Sequence, residues 1–446
     1  MPQSLDSIVA IATAPGRGGV GVVRVSGGHV SSLAISLLGK LPVPRHATYA
    51  AFHDFDGSII DRGIALYFPS PNSYTGDDVL ELQAHGGSGV LSLLLKRCLK
   101  ENVRLAKPGE FTERAFLNNK LDLVQAESVA DLINATTEQA VRSANRSLAG
   151  DFSNTINQMI RKLIDLRVHV EASLDFPEEE IDINDVNFCE SQLTEIRFTL
   201  DKTLKLAQQG SILREGAQIV LVGKPNVGKS SLLNCLSGED VALVSEVPGT
   251  TRDTIRQTIN IKGIQLHIID TAGLRDSQDV VEQMGMERTR QAISKADAVL
   301  VLKDVNDEAG HELEKIFKLI PENIPRLHVI NKIDLVIQNA RAENHGNLTY
   351  VYLSAKTEQG IDLLKDKILQ MINWHEEEGV FIARERHLQA LIQAKQCLDS
   401  AATVLTRWEI LAEELHQAQV ALGKITGEFS SDDLLGEIFS HFCIGK

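Results

Sequence analysis

Apolar positions change their spacing from one stretch of the chain to the next, and the spacings predict four segments. Over 1–118, strand-like runs alternate with glycines: Val20-Gly21-Val22-Val23-Arg24-Val25, then Ile64-Ala65-Leu66-Tyr67-Phe68. A helical pattern follows from Ser88 to Lys100, and together these predict a small α+β domain. The run Ser7–Ala14 has the look of a short secretory apolar region, but Asp6 stands where a basic residue belongs, so we read it as a strand. From Leu121 to about Gln209 the pattern is helical, interrupted at Asp175–Asp185 by an acidic loop containing Pro177. Five short apolar runs come next: Ile219–Val222, Leu266–Ile269, Ala298–Leu302, Leu327–Ile330 and Tyr350–Leu353. Strands alternating with helices predict a mostly parallel sheet covered on both faces. Beyond about Glu376 the chain is helical again to Phe442.

The expected fold class is therefore multidomain α/β. A small α+β domain occupies 1–118, an all-α helical domain is split between 119–210 and 376–446, and an α/β unit over 211–375 is inserted into it. A chain of 446 residues, about three times the usual domain size of roughly 150, accommodates this.

Charge sharpens the picture. The chain carries 45 basic and 60 acidic residues, but the excess is local: 119–210 hold 9 against 16, and 376–446 hold 6 against 12. Acidic segments make poor general binders of phosphate backbones, whose attraction comes mainly from Lys and Arg. Five scattered cysteines (Cys98, Cys189, Cys235, Cys397, Cys443) lack metal-ligand spacing and fit a reducing compartment. No run approaches the roughly 18 apolar residues of a membrane span. A cytoplasmic protein is expected, with no membrane partner.

The strongest chemistry lies in the α/β unit. Its first strand runs into Gly223-Lys224-Pro225-Asn226-Val227-Gly228-Lys229-Ser230, a phosphate-loop pattern, with Ser231 opening the helix that follows. Glycines let backbone N–H groups wrap phosphates, Lys229 reaches the β/γ oxygens, and Ser230 suits Mg²⁺. A Gly-rich turn between strand and helix is the plain alternative. Three further stretches stand at strand ends in order: Asp270-Thr271-Ala272-Gly273, Asn331-Lys332-Ile333-Asp334 and Ser354-Ala355-Lys356. The first offers a carboxylate near the metal and an amide near the γ-phosphate. In the second, Asp334 can accept two guanine N–H donors that adenine lacks, which makes this a GTP-binding domain. Between the first two motifs, Ser245-Glu246-Val247-Pro248-Gly249-Thr250-Thr251 forms a loop whose paired threonines can sense the γ-phosphate through Mg²⁺.

How water is oriented stays open from the residues alone. Leu274 occupies the position where small signalling GTPases carry glutamine, and it has no polar atom. The nearby acids Asp276, Asp279, Glu282 and Glu287, the arginines Arg252, Arg275 and Arg288, and a monovalent cation held by Asn226 are the candidates.

The phosphate loop with Asn226, the stretch Gly249-Thr250-Thr251-Arg252-Asp253 and the C-terminal Phe442-Cys443-Ile444-Gly445-Lys446 resemble the MnmE/TrmE family of bacterial tRNA modification GTPases. The likeness extends over essentially the whole chain, including Ala14-Pro15-Gly16-Arg17-Gly18-Gly19 and Pro108-Gly109-Glu110-Phe111-Thr112. It implies K⁺ in place of an arginine finger, with Asn226, Ser245, Val247 and Thr250 as its ligands. Ser230 and Thr251 would hold Mg²⁺, Glu282 would orient the attacking water, and Lys229 and Asp270 would complete the catalytic set. Pro248 departs from the small residue expected there and would stiffen the loop. The resemblance further implies a homodimer and an MnmG/GidA-type flavoprotein partner carrying FAD and NADH, in a heterotetramer acting on tRNA. The product would be a 5-carboxymethylaminomethyl or aminomethyl group on wobble uridine U34, its carbon drawn from 5,10-methylene- or 5-formyl-tetrahydrofolate.

Read by themselves, Arg24 and Glu81 are a surface ion pair or two solvated charges. The resemblance assigns them, with Lys120 and Lys446, to a tetrahydrofolate derivative. Cys443 has three readings: a prenylation box that Gly445 and Lys446 fit badly, a core position on an amphipathic helix Asp432–Phe442, and, by resemblance, the modification site. A ribosome-assembly GTPase of the Era-like type is the alternative function, although no Gly-x-x-Gly loop of a KH domain follows the α/β unit.

Overall fold

The computed structural model describes residues 6–175, 183–237, 256–270, 290–306, 320–322, 324–336, 338–346, 348–377, 379–428, 432–440, 442, 443 and 445. It resolves into two compact units, one of residues 1–134, 147–199 and 390–446, the other of 135–146 and 200–389.

The first unit opens with strands β1 (Ser7–Ile11) and β2 (Gly18–Ser26), helix α1 (Val30–Leu38), then β3 (Thr48–His53), β4 (Ile59–Phe68) and β5 (Val79–Gly86). Helix α2 (Ser88–Leu99), β6 (Val103–Leu105) and α3 (Glu110–Leu117) follow. The strands form a six-stranded sheet ordered β3-β4-β5-β2-β1-β6. Its alternating apolar residues, among them Val23, Val25, Leu80 and Leu82, bury against Leu33, Leu37, Leu91 and Leu94 of the two helices. β1 takes the run read as a strand rather than a leader.

The helical part of this unit includes α4 (Leu123–Asn134), α6 (Asp151–Asp175) and the first half of α7 (Ile183–Glu215), while most of α5 (Glu138–Ala149) and the rest of α7 belong to the second unit. The acidic break expected at Asp175–Asp185 falls between α6 and α7, and most of it lies outside the described residues. Towards the C-terminus come α10 (Glu385–Thr403), α11 (Trp408–Thr426) and α12 (Asp432–Ser440), after α8 (Lys229–Ser237) and α9 (Ile361–Met371) of the second unit. On α12, Ile438 and Phe439, followed by Phe442, bury against Leu123 and Ala126 of α4. The amphipathic stripe thus covers a core face, the described helix running Asp432–Ser440. Among the described residues no helix is long and apolar enough to cross a membrane.

The second unit is built on a seven-stranded sheet ordered β12-β13-β11-β10-β7-β9-β8. Its strands are β7 (Ala217–Gly223), β8 (Arg256–Ile261), β9 (Ile264–Asp270), β10 (Ala298–Asp304), β11 (Arg326–Asn331), β12 (Arg341–His345) and β13 (Leu348–Tyr352). All five apolar runs become the parallel strands β7, β9, β10, β11 and β13. The two antiparallel edges, β8 and β12, escaped the pattern because their sequences, Arg-Gln-Thr-Ile-Asn-Ile and Arg-Ala-Glu-Asn-His, are half-solvated and polar.

Candidate nucleotide site and the carboxy-terminal cluster

At the C-terminal ends of the parallel strands the second unit gathers its motifs, where open α/β sheets bind ligands. The loop between β7 and α8 places Asn226 at φ 62° and Gly228 at φ 98°. A side chain on Gly228 would bring its Cβ within 2.4 Å of Asn331 Nδ2, so only glycine fits that left-handed turn. Inside the loop the buried Lys229 ammonium donates to the carbonyls of Gly223 at 2.9 Å and Lys224 at 2.8 Å. Lys229 opens α8, whose N-terminal dipole favours an anion at that end.

The β7–β9 register sets Leu221 opposite Asp270, which brings the Asp270 carboxylate beside the loop. Ser230 and Asp270 line one cavity of about 150 Å³ with Asn234 and Gln257. A hydroxyl and a carboxylate are the oxygen donors Mg²⁺ takes, and these residues fit that ion.

At the base end, Asn331 does more than its expected contact with nucleotide. Its buried amide donates to the Val227 carbonyl at 2.9 Å, while its Oδ1 accepts the N–H groups of Lys332 at 2.8 Å and Ala355 at 2.9 Å. Lys332, in a left-handed conformation at φ 67°, donates to the Asn226 carbonyl at 2.9 Å and pairs with Asp304 at 2.7 Å. Burial works against ionising Asp304, but the hydrogen bonds from Lys332 and the Asn306 N–H carry its carboxyl below the usual range. Ile333 is buried, Asp334 accepts the Ser354 hydroxyl at 2.6 Å, and Lys356 is exposed. The backbone N–H of Ser354 donates to Gln359, holding that last motif. The structure therefore joins Asn226, Val227, Gly228, Lys229, Asn331, Lys332, Asp334, Ser354 and Ala355, and sets Ser230 beside Asp270. Ser231 lies in α8 and is exposed. Ser245, Glu246, Val247, Pro248, Gly249, Thr250, Thr251, Thr271, Ala272, Gly273 and Glu282 lie outside the described residues.

In the first unit, the β2–β5 register puts Arg24 directly opposite Glu81. The guanidinium meets Glu81 Oε1 through Nε at 2.9 Å and Nη2 at 2.8 Å, and donates through Nη1 to the Gly445 carbonyl at 3.3 Å. Tyr74 and Phe111 offer their rings at 5.7 and 5.8 Å, and the Tyr74 hydroxyl bonds to that of Thr112. Burial raises the Tyr74 pKa. Gly109, at φ 67°, donates to the Cys443 carbonyl, and a Cβ there would meet the Phe439 carbonyl at 2.7 Å. Cys443 is exposed, which removes the buried-core reading of this residue. Lys120 is also exposed; it lines a groove of about 450 Å³ with Phe116, Asp122 and Gly427 rather than the Arg24–Glu81 contact set. Lys446 lies outside the described residues.

Sequence reasoning missed Asp304 and Asn306, though a signal existed: Asp304 ends its strand just as Asn331 ends its own, and the two are register partners. It also missed Tyr74, Thr112 and the Gly445 carbonyl, which no spacing connects to Arg24.

A mostly parallel sheet with a phosphate loop, a hydroxyl–carboxylate pair of the Mg²⁺ type and the Asn331–Asp334 motif at its strand ends defines a P-loop protein of the GTPase class. The family model described as the MnmE helical domain matches residues 123–443, and that of the GTP-binding protein TrmE N-terminus matches 7–120. The chain is 58% identical to the tRNA modification GTPase MnmE of Nitrosomonas europaea, over 99% of this chain and 100% of that one. It is 52% identical to the protein of the same name from Neisseria meningitidis serogroup B, over all of both chains. An Era structure from Aquifex aeolicus is 30% identical over 41% of this chain and 66% of its own, with a TM-score of 0.28. The chain belongs to the MnmE family of tRNA modification GTPases.

Proposed function

We propose that this GTPase is stimulated by K⁺ and works with an FAD-dependent flavoprotein of the MnmG/GidA type. Together they install a 5-carboxymethylaminomethyl or aminomethyl group on the wobble uridine of certain tRNAs. A tetrahydrofolate one-carbon unit supplies the carbon, and FAD and NADH belong to the partner. The protein acts in the cytoplasm as a homodimer.

The observation that carries this reading is that one chain combines two chemistries. A nucleotide loop stands on the second unit's sheet, and an Arg24–Glu81 pair touches the C-terminal segment in the first. A carboxylate such as Glu81 suits the paired N–H groups of a pterin, while Arg24 and the Lys120 and Lys446 ammoniums suit the anionic glutamate tail. Cys443, exposed two residues before Gly445, stands at the same end of the chain.

For GTP, we assign phosphate binding to Asn226 through Ser231, the metal to Ser230, Thr251 and Asp270, the sensing loop to Ser245–Thr251 and Thr271–Gly273, and the base to Asn331–Asp334 and Ser354–Lys356. Glu282 orients water. Asn226, Ser245, Val247 and Thr250 offer oxygen donors to K⁺, which trades its hydration shell for such oxygens. The cation supplies the positive charge that a finger arginine supplies elsewhere.

Hydrolysis measured in K⁺ and in Na⁺ at matched ionic strength tests the reading. Faster turnover in K⁺ is expected. Equal rates contradict it.

A further inference from the structure

Five carbonyls of the phosphate loop have identified donors. Lys229 serves Gly223 and Lys224, Asn331 serves Val227, and the Leu232 N–H of α8 serves Gly228. The carbonyl of Asn226, like that of Val227, is held from outside the loop, by the Lys332 ammonium at 2.9 Å. That grip matters because Asn226 sits at φ 62°, a conformation that residues with a Cβ adopt only at a cost unless neighbours enforce it.

Lysine is a flexible stem ending in a strongly hydrated charge, so a partner that fixes the ammonium sharpens its hold on one carbonyl. Here that partner is Asp304. Its Oδ2 lies 2.7 Å from the ammonium, and its Oδ1 accepts the Asn306 N–H at 3.0 Å, which fixes the carboxylate plane. The β10–β11 register sets Asp304 opposite Asn331, the residue before Lys332, so the sheet itself delivers the pair. Asp304, Lys332 and Asn226 also line one groove of about 290 Å³.

We propose that Asp304 is a positioning residue for the K⁺-dependent reaction. By pinning Lys332 on the Asn226 carbonyl, it holds the loop conformation that presents the Asn226 side chain to the cation. This rests on the K⁺ reading above. It adds a residue that touches neither nucleotide nor cation and acts through two others.

Asp304→Asn keeps the shape and removes the charge. In the full-length protein, the K⁺ concentration for half-maximal hydrolysis should rise roughly ten-fold or more, the loss expected for one charge-assisted hydrogen bond. The affinity for GDP measured without K⁺ should shift less than that. Hydrogen exchange of the nucleotide-free protein should quicken at the amides of residues 224–229. Asp304→Glu, which keeps the charge, should recover most of the K⁺ response. An unchanged K⁺ requirement, equal shifts in K⁺ and GDP, unaltered exchange, or no recovery by Glu would each overturn the proposal. A wild-type protein indifferent to K⁺ would remove the K⁺ reading itself. In that case exchange alone reports whether Asp304 steadies the loop.

Discussion

Asn331 Nδ2 donates to the Val227 carbonyl at 2.9 Å, so the motif proposed to read the base is hydrogen-bonded to the phosphate-loop motif. The same buried side chain accepts the Ala355 N–H, which ties in the last motif as well. One amide thus braces three loops that arrive from three different strands. Asn331→Ala leaves a buried carbonyl and two N–H groups without their partner. Unfolding should be easier by about 3 kcal/mol or more, since each unsatisfied buried group costs on the order of 1–3 kcal/mol. Thermal unfolding and fluorescence titration with GDP should show loss of stability and of affinity together.

Asp334 offers a carboxylate whose Oδ1 already accepts the Ser354 hydroxyl at 2.6 Å. Asp334→Asn replaces an acceptor with a donor where guanine presents its own N–H groups. GTP affinity should fall by about 100-fold or more, as when a site built for one hydrogen-bonding partner meets another. Xanthosine triphosphate, which presents a carbonyl there, should lose far less. Competition titration of the two nucleotides checks the exchange of preference.

Glu81→Ala leaves Arg24 without the carboxylate that holds it and should weaken folate binding while GTP hydrolysis stays unaltered. Titration calorimetry with a tetrahydrofolate derivative reads the first effect and phosphate release the second. Unchanged folate affinity would remove Glu81 from the assignment.

Gly109 admits the C-terminal segment because it has no Cβ to meet the Phe439 carbonyl. Gly109→Val adds that clash to the roughly 1–2 kcal/mol cost of a left-handed residue. The segment carrying Cys443 and Gly445 should be displaced. Labelling of Cys443 by a thiol reagent should change in rate, and folate affinity should drop in parallel.

His328 is buried on β11, where the register stacks its ring on Tyr350 of β13 at 4.7 Å. Burial, helped by the charges of Lys303 and Arg326, holds its pKa down at about 4. The unfolded chain therefore binds a proton near pH 6.5 that the folded chain refuses until about pH 4. Stability should fall as pH drops through that window and flatten below it. His328→Gln should shallow the acid limb of a denaturation profile.

Much of this molecule was legible because its signals are local. The five parallel strands announce themselves as continuous apolar runs, since both faces of a central strand are buried, and each chemical motif sits at the end of one of them. The edge strands β8 and β12 gave no such signal because solvent takes one face. What stayed hidden is contact across sequence distance. Arg24 reaches Gly445 across a sequence separation of 421, and nothing in either neighbourhood records it. The Asp304–Lys332 pair depends on strand register, which spacing along one strand does not contain. Cys443 read as a plausible core residue because it follows an apolar stripe; the stripe ends at Phe442, and the cysteine just beyond it faces solvent.

The central claim is that this GTPase serves the modification of tRNA wobble uridine. Mass spectrometry of tRNA nucleosides from cells with and without the gene tests it most directly. The account predicts that C5-aminomethyl-type wobble uridines disappear when the gene is lost and return with the wild-type copy. An unchanged nucleoside profile would contradict it.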